Sequence, residues 1–173
     1  EGCFIGTSEY GYALDPKIND SFIAVNRLMK MGYEVTRAKE AVICEDICLP
    51  PGVFIVKDAK KGEMEMLADE LHLTFYPLCE EVENTVIMKP PKIGMYQRYY
   101  GGNMDEGWTR LVLEQFEIPY KSIMSDEVKK GNLNQNYDTI ILPNDTEQII
   151  IGKNIEEYYK KRFGGSMSAP NYP

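Results

Sequence analysis

Apolar residues recur along this chain in alternating periods. Phe22, Val25, Leu28 and Met29 stand three and four apart, the spacing of one helix face. Asp20 or Ser21 is placed to cap that helix, because a side-chain oxygen there can accept a free backbone N–H. Gly32 is placed to end it, since glycine tolerates the left-handed turn that follows many helices. Tyr10 to Leu14, ahead of an Asp15-Pro16 turn, and Tyr33 to Arg37 read as strands. After a linker with Cys44, Cys48 and Pro50-Pro51-Gly52, Val53 to Val56 is a short β-prone run. Met64, Leu67, Ala68 and Leu71 mark a second amphipathic helix, and Leu73 to Leu78 a further strand. The order is β-α-β-β-α-β, which fits a split βαβ sandwich or strands given to a larger shared sheet.

Residues 80 to 91, ending in Pro90-Pro91, form a boundary that divides the chain into parts 1–90 and 91–173. Beyond it, Lys92 to Tyr96, Tyr120 to Met124 and Tyr137 to Leu142 read as strands. A helix with the stripe Trp108, Leu111, Val112 and Phe116 lies between the first two. A short helix from Ser125 to Gly131 precedes the third strand. Successive strand–helix–strand units favour a parallel, right-handed α/β sheet. Asn154 to Phe163 reads as a charged, Tyr-rich helix.

Charge and composition narrow the function. The 173 residues carry 19 basic and 27 acidic side chains, a net charge of −8. The basic residues are scattered, and the densest cluster, Lys160-Lys161-Arg162, is short. Binding to duplex nucleic acid needs a basic face that displaces counterions, so no nucleic-acid partner is expected. Apolar runs are far shorter than the roughly 20 residues that cross a bilayer, so no membrane span is expected.

Ligands of open α/β sheets bind beyond the carboxyl ends of the strands. Three loops fall there, Gln97 to Asp105, Met124 to Asp126 and Asn144 to Thr146. The first holds Arg98, Tyr99, Tyr100, Gly101-Gly102, Asn103, Asp105 and Glu106. The candidate ligand-binding residues are Arg98, Asn103, Asp105, Glu106 and Asn144. Asp105 and Glu106 place negative charge at the helix start, so a phosphate is repelled there unless Arg98 folds over it. The glycines lack the G-x-G-x-x-G spacing of a dinucleotide fingerprint.

The remaining chemistry is sparse. Cys44 and Cys48 are separated by three residues, whereas redox and zinc motifs favour two. Neighbouring Glu45 and Asp46 raise thiol pKa values, so disulfides or inert thiols are favoured over catalysis. His72 is the one histidine, placed at a helix end, and no multi-histidine zinc site can be built within the chain. No G-x-S-x-G elbow or cysteine counterpart occurs.

Several segments together carry a family resemblance. They are Pro91-Lys-Ile-Gly-Met-Tyr96, Gly101-Gly-Asn-Met-Asp-Glu-Gly-Trp-Thr-Arg110, Leu113-Glu-Gln-Phe116 and Tyr137-Asp-Thr-Ile-Ile-Leu-Pro143. The first half adds Asp20-Ser-Phe-Ile-Ala-Val-Asn-Arg-Leu28 and Leu49-Pro-Pro-Gly-Val-Phe54. From about residue 10 onward the chain resembles the region downstream of the peptidase domain in bacterial zinc carboxypeptidases. That region is similar to a class I glutamine amidotransferase-like domain. The resemblance implies a parent hydrolase, a metallopeptidase that is secreted or periplasmic, with zinc in its peptidase domain.

It does not imply catalysis by this segment. The family's His-x-x-Glu zinc pair is absent, because His72 is followed by Leu73, Thr74 and Phe75. The amidotransferase nucleophile is absent too, since no Cys follows Cys79 and no His follows His72. A closing helix and strand are expected after Tyr172, so the domain is truncated or completed elsewhere. The expectation is an α/β chain, βαββαβ-like and then amidotransferase-like, acting as a non-catalytic accessory domain without a cofactor of its own. Its expected partners are the parent's peptidase domain and a small molecule or peptide. The alternatives are a free-standing flavodoxin-like binding protein or enzyme and a cysteine-dependent redox module.

Overall fold

Val53 to Val56 is apolar at every position because its strand is covered on both faces. The computed structural model describes residues 3–4, 6–98 and 102–165. The chain forms two compact units, one of Glu1–Pro90 with Phe116–Ile118 and one of Pro91–Gln115 with Pro119–Pro173. Expectations that rest on Tyr99, Tyr100, Gly101, the Cys3 side chain and residues 166–173 lie outside the described residues.

The first unit runs β1 (Cys3–Phe4), β2 (Tyr12–Leu14), α1 (Asp20–Lys30), β3 (Val35–Ala38), β4 (Val42–Cys44) and β5 (Ile47–Leu49). It continues through β6 (Phe54–Val56), α2 (Lys61–Leu71), β7 (Thr74–Pro77) and β8 (Thr85–Ile87). The sheet order is β1-β7-β2-β6-β3-β8. The central four strands, β7-β2-β6-β3, pair antiparallel in the order of a split βαβ sandwich. β1 adds a parallel edge on β7, and β8 an antiparallel edge on β3. The segment 80–91, expected as a bare boundary, therefore contributes a strand.

One face of this sheet carries Tyr12, Leu14, Phe54, Val56 and Phe75 against Ala24, Val25 and Leu28 of α1 and Met64, Leu67 and Ala68 of α2. Each such large side chain contributes about 1.5–3 kcal/mol relative to exposure. Phe22 stands half out of the core with its ring edge-on to Phe54, the centroids 5.2 Å apart. The opposite face carries Ala13, Ile55 and Leu78 against Val42, Cys44 and Leu49. These last three belong to a β4–β5 hairpin with the register Val42↔Leu49, Ile43↔Cys48 and Cys44↔Ile47. The stretch read as a linker is thus a lid on the second face.

Local chemistry sets the ends. Asp15 Oδ1 accepts the Lys17 N–H at 2.9 Å, making the turn before α1. Neither Asp20 nor Ser21 caps that helix; the buried Ser21 hydroxyl instead donates back to the Asp15 carbonyl at 2.8 Å. Gly32 follows the helix at φ +93. His72 closes α2 in the left-handed conformation, its N–H on the Ala68 carbonyl. Asn26, buried on α1, donates its amide to the Phe116 carbonyl at 2.8 Å.

The second unit holds β9 (Ile93–Tyr96), α3 (Met104–Gln115), β10 (Tyr120–Ile123), α4 (Ser125–Lys130) and α5 (Leu133–Asn136). Then come β11 (Thr139–Ile141), α6 (Glu147–Ile151) and α7 (Ile155–Phe163). Its three strands are parallel, in the order β10-β9-β11, and Met95 and Ile123 are fully buried between the layers. Gly94 on the central strand makes room for Ile123 and Tyr137; a Cβ there would meet both at 3.2 Å.

Helix α3 departs from its expected orientation. Trp108, Leu111 and Val112 are exposed, while Glu106 and Leu113 are buried. Phe116 lies beyond the helix, within the first unit. Arg110, between the two buried positions, places Nη1 on the Ser122 hydroxyl at 2.9 Å and its guanidinium over the Tyr120 ring at 5.1 Å. The side of α3 toward β10 is therefore held by an ion pair, a stacked arginine and one leucine. Among the described residues no helix is long and apolar enough to cross a membrane.

Candidate functional site

The chain leaves β9 for β10 on one side, and β11 joins β9 on the other. The carboxyl ends of the three parallel strands share one edge of this sheet, where ligands of open α/β sheets bind. A cleft of about 380 Å³ occupies this place. Residues 97–98 and 102–103 follow β9, and loop 142–146 follows β11.

Hydrogen bonds stitch the two loops together. Asn103 Oδ1 accepts the Asp105 N–H at 2.9 Å and the Glu106 N–H at 3.2 Å, so Asn103 caps α3. Its Nδ2 donates to the Asn144 carbonyl at 2.9 Å and reaches Asp145 Oδ2 at 3.4 Å. Asp105 Oδ2 accepts the Asn144 N–H at 2.7 Å. Arg98 Nη1 meets Asp145 Oδ2 at 2.6 Å, and Nη2 donates to the Gly102 carbonyl. The structure brings all five sequence-derived residues into one network. Arg98, Asn103 and Glu106 line the cleft, whereas Asp105 and Asn144 join the loops outside the lining.

Two ion pairs neutralise Arg98 and Glu106 in this network, while the Asp105 carboxylate meets the Asn144 N–H. Asp145 neutralises Arg98, so Arg98 is not folded over the helix start in wait for a phosphate. Arg110 Nε neutralises the buried Glu106 carboxylate at 2.6 Å. Burial works against the Arg110 guanidinium's charge, but Tyr120 and Glu106 outweigh it, and its pKa is raised.

Of the rest of the lining, Ser125 and Asp145 fall in the two other strand-end loops expected from the sequence, whereas the apolar residues had not been singled out. Tyr96 and Ser125 bring their hydroxyls to 3.2 Å of each other. Leu142, Pro143, Ile149, Ile150 and Val128 supply an apolar wall. Asp145 had a signal, its place beside Asn144 at a strand end. Ile149 and Ile150 had less, because α6 is a short helix flanked by loops.

Among the described residues no three histidine, cysteine or acidic side chains gather to hold a metal. Cys44, Cys48 and Cys79 are free thiols. The two hairpin cysteines fall on opposite faces, Cys44 buried and Cys48 exposed, so their spacing in sequence is not a paired motif. Comparison with protein-family models, with curated proteins and with solved structures found no match.

Proposed function

We propose that the chain is a non-catalytic, amidotransferase-like accessory domain of a zinc carboxypeptidase, and that its second unit binds a small neutral ligand. The ligand class is an organic molecule with an apolar body and one hydrogen-bonding head. The observation that carries the binding role is the cleft at the strand ends, where Arg98 is paired with Asp145 and Glu106 with Arg110, and Lys129 is the further charged residue of the lining. In this reading the ligand meets the aliphatic wall and the Tyr96–Ser125 hydroxyls. The accessory role rests on the sequence resemblance and on the missing Cys and His of the second half.

The purified chain is expected to release no ammonia from glutamine and no C-terminal residue from peptides, with or without added zinc. Neutral amide fragments are expected to raise its melting temperature, as a ligand of the native state must. Hydrolysis above the buffer rate overturns the non-catalytic reading.

The strand order supports one second reading. Second-first-third is the order in which flavodoxin-like sheets begin, with their ligand at the same switch point. Stabilisation by flavin mononucleotide, without an effect of neutral amides, would favour that free-standing binder.

A further inference from the structure

The β4–β5 hairpin places one thiol on its inner face and one on its outer face, because facing pairs alternate between the two sides. Cys44 is the inner one and is buried against the sheet; Cys48 points outward. The exposed Cys79 follows β7, and its Sγ accepts the Glu45 N–H at 3.2 Å. Glu45 N lies about 2.4 Å from the Cys44 Cα by standard geometry, so Cys79 Sγ lies within roughly 5.6 Å of that Cα. The Cys79 Cα, about 2.8 Å from its own Sγ, is then at most about 8.4 Å from the Cys44 Cα, a bound that contains the roughly 4.4–6.8 Å a disulfide asks for. Cys48 faces away and does not compete.

We propose that Cys44 and Cys79 form a disulfide that clips the hairpin to the chain after β7. A low-molecular-weight disulfide of the glutathione type is the oxidant. The exposed Cys79 thiolate attacks it, one thiolate leaves, and Cys79 carries a mixed disulfide. The Cys44 thiolate then attacks the Cys79 sulfur and expels the second thiolate. The two protons given up by the protein end on two released thiols. The protein loses two electrons and the small disulfide gains them. The Glu45 N–H holds the Cys79 sulfur beside the hairpin turn. Burial pushes the Cys44 thiol up to about 11, with the charges of Cys79 and Glu45 adding to it, so the second step is the slow one. The bond closes a long loop and locks the lid over the second face of the sheet.

The test is peptide mapping of the full chain after incubation with oxidised glutathione, in wild type and in Cys3→Ser/Cys48→Ser. The expected result in both is a Cys44–Cys79 linked peptide. The melting temperature should rise by roughly 5 °C or more, a rise that a reductant abolishes. Cys79→Ser and Cys44→Ala should each remove that rise. A Cys79 that stops at the glutathione adduct, with Cys44 still alkylated after unfolding, overturns the proposal. So does wild-type pairing of Cys79 with Cys3 or Cys48.

Discussion

The Arg98 guanidinium and the Asp145 carboxylate, from the loops after β9 and β11, meet at 2.6 Å with side chains only 19% and 15% exposed. Removing one partner leaves the other charge largely shielded from water. Arg98→Ala and Asp145→Ala are each expected to cost about 1–3 kcal/mol in urea unfolding. The double variant should cost clearly less than the two added together, because the charges are coupled. Additive costs would show that the pair is not formed in solution.

Helix α3 gives a test of which side faces inward. Trp108 is 63% exposed and Leu113 only 8%. Trp108→Gln is expected to change stability by no more than about 0.5 kcal/mol. Leu113→Ala should cost about 2–3 kcal/mol, the range for truncating a buried leucine. The reverse ranking would mean that the apolar stripe, not the Glu106–Arg110–Leu113 side, meets the sheet.

Gly11 sits at φ +108 immediately before β2, and a Cβ there would come to 2.2 Å of the Val56 carbonyl oxygen. Neither the conformation nor the space admits a side chain. Gly11→Ala is expected to destabilise the chain by about 2–4 kcal/mol, read from the denaturation midpoint. Gly62→Ala, on α2 with open space around it, should be neutral or slightly stabilising.

The buried Cys44 thiol sets a dependence on alkaline pH. Its pKa is raised from 9.0 to about 11, chiefly by burial, with the charges of Cys79 and Glu45 adding to it. Below 9 both states hold the proton, and the stability of the reduced protein is undiminished by this group. Above that the unfolded state releases it first, so stability falls as pH climbs toward 11. The loss is at most about 3 kcal/mol in full. Cys44→Ala should flatten this decline relative to reduced wild type, and an unchanged slope would show the thiol to be solvated.

Strong local signals were legible in the sequence. The α1 and α2 stripes, the Val53 to Val56 run and the three strands of the second unit stand close to where periodicity puts them. The hairpin at Cys44 and Cys48 was not, because three-residue strands around a Glu45-Asp46 turn leave too little alternation to see. The two edge strands were missed for the same reason of length. The α3 stripe misled for a different reason: periodicity finds an apolar face but cannot say that a charged pair will take the sheet-facing side. At the site, Asn103 and Arg98 were legible from loop position. The aliphatic wall from α6 depends on a fold-back that no local pattern encodes.

The proposed ligand of the cleft at the strand ends is neutral and amphipathic. The most direct measurement is a titration of isoleucine-methyl-labelled protein with benzamide and with N-acetylleucinamide, followed by NMR. Saturable shifts are expected at Ile149 and Ile150, none at the exposed Ile43 of the first unit, and weaker binding in Tyr96→Phe/Ser125→Ala. Affinities are expected near the millimolar range of such small fragments, about −4 kcal/mol. Shifts absent at ~10 mM, or equal at Ile43, would contradict it.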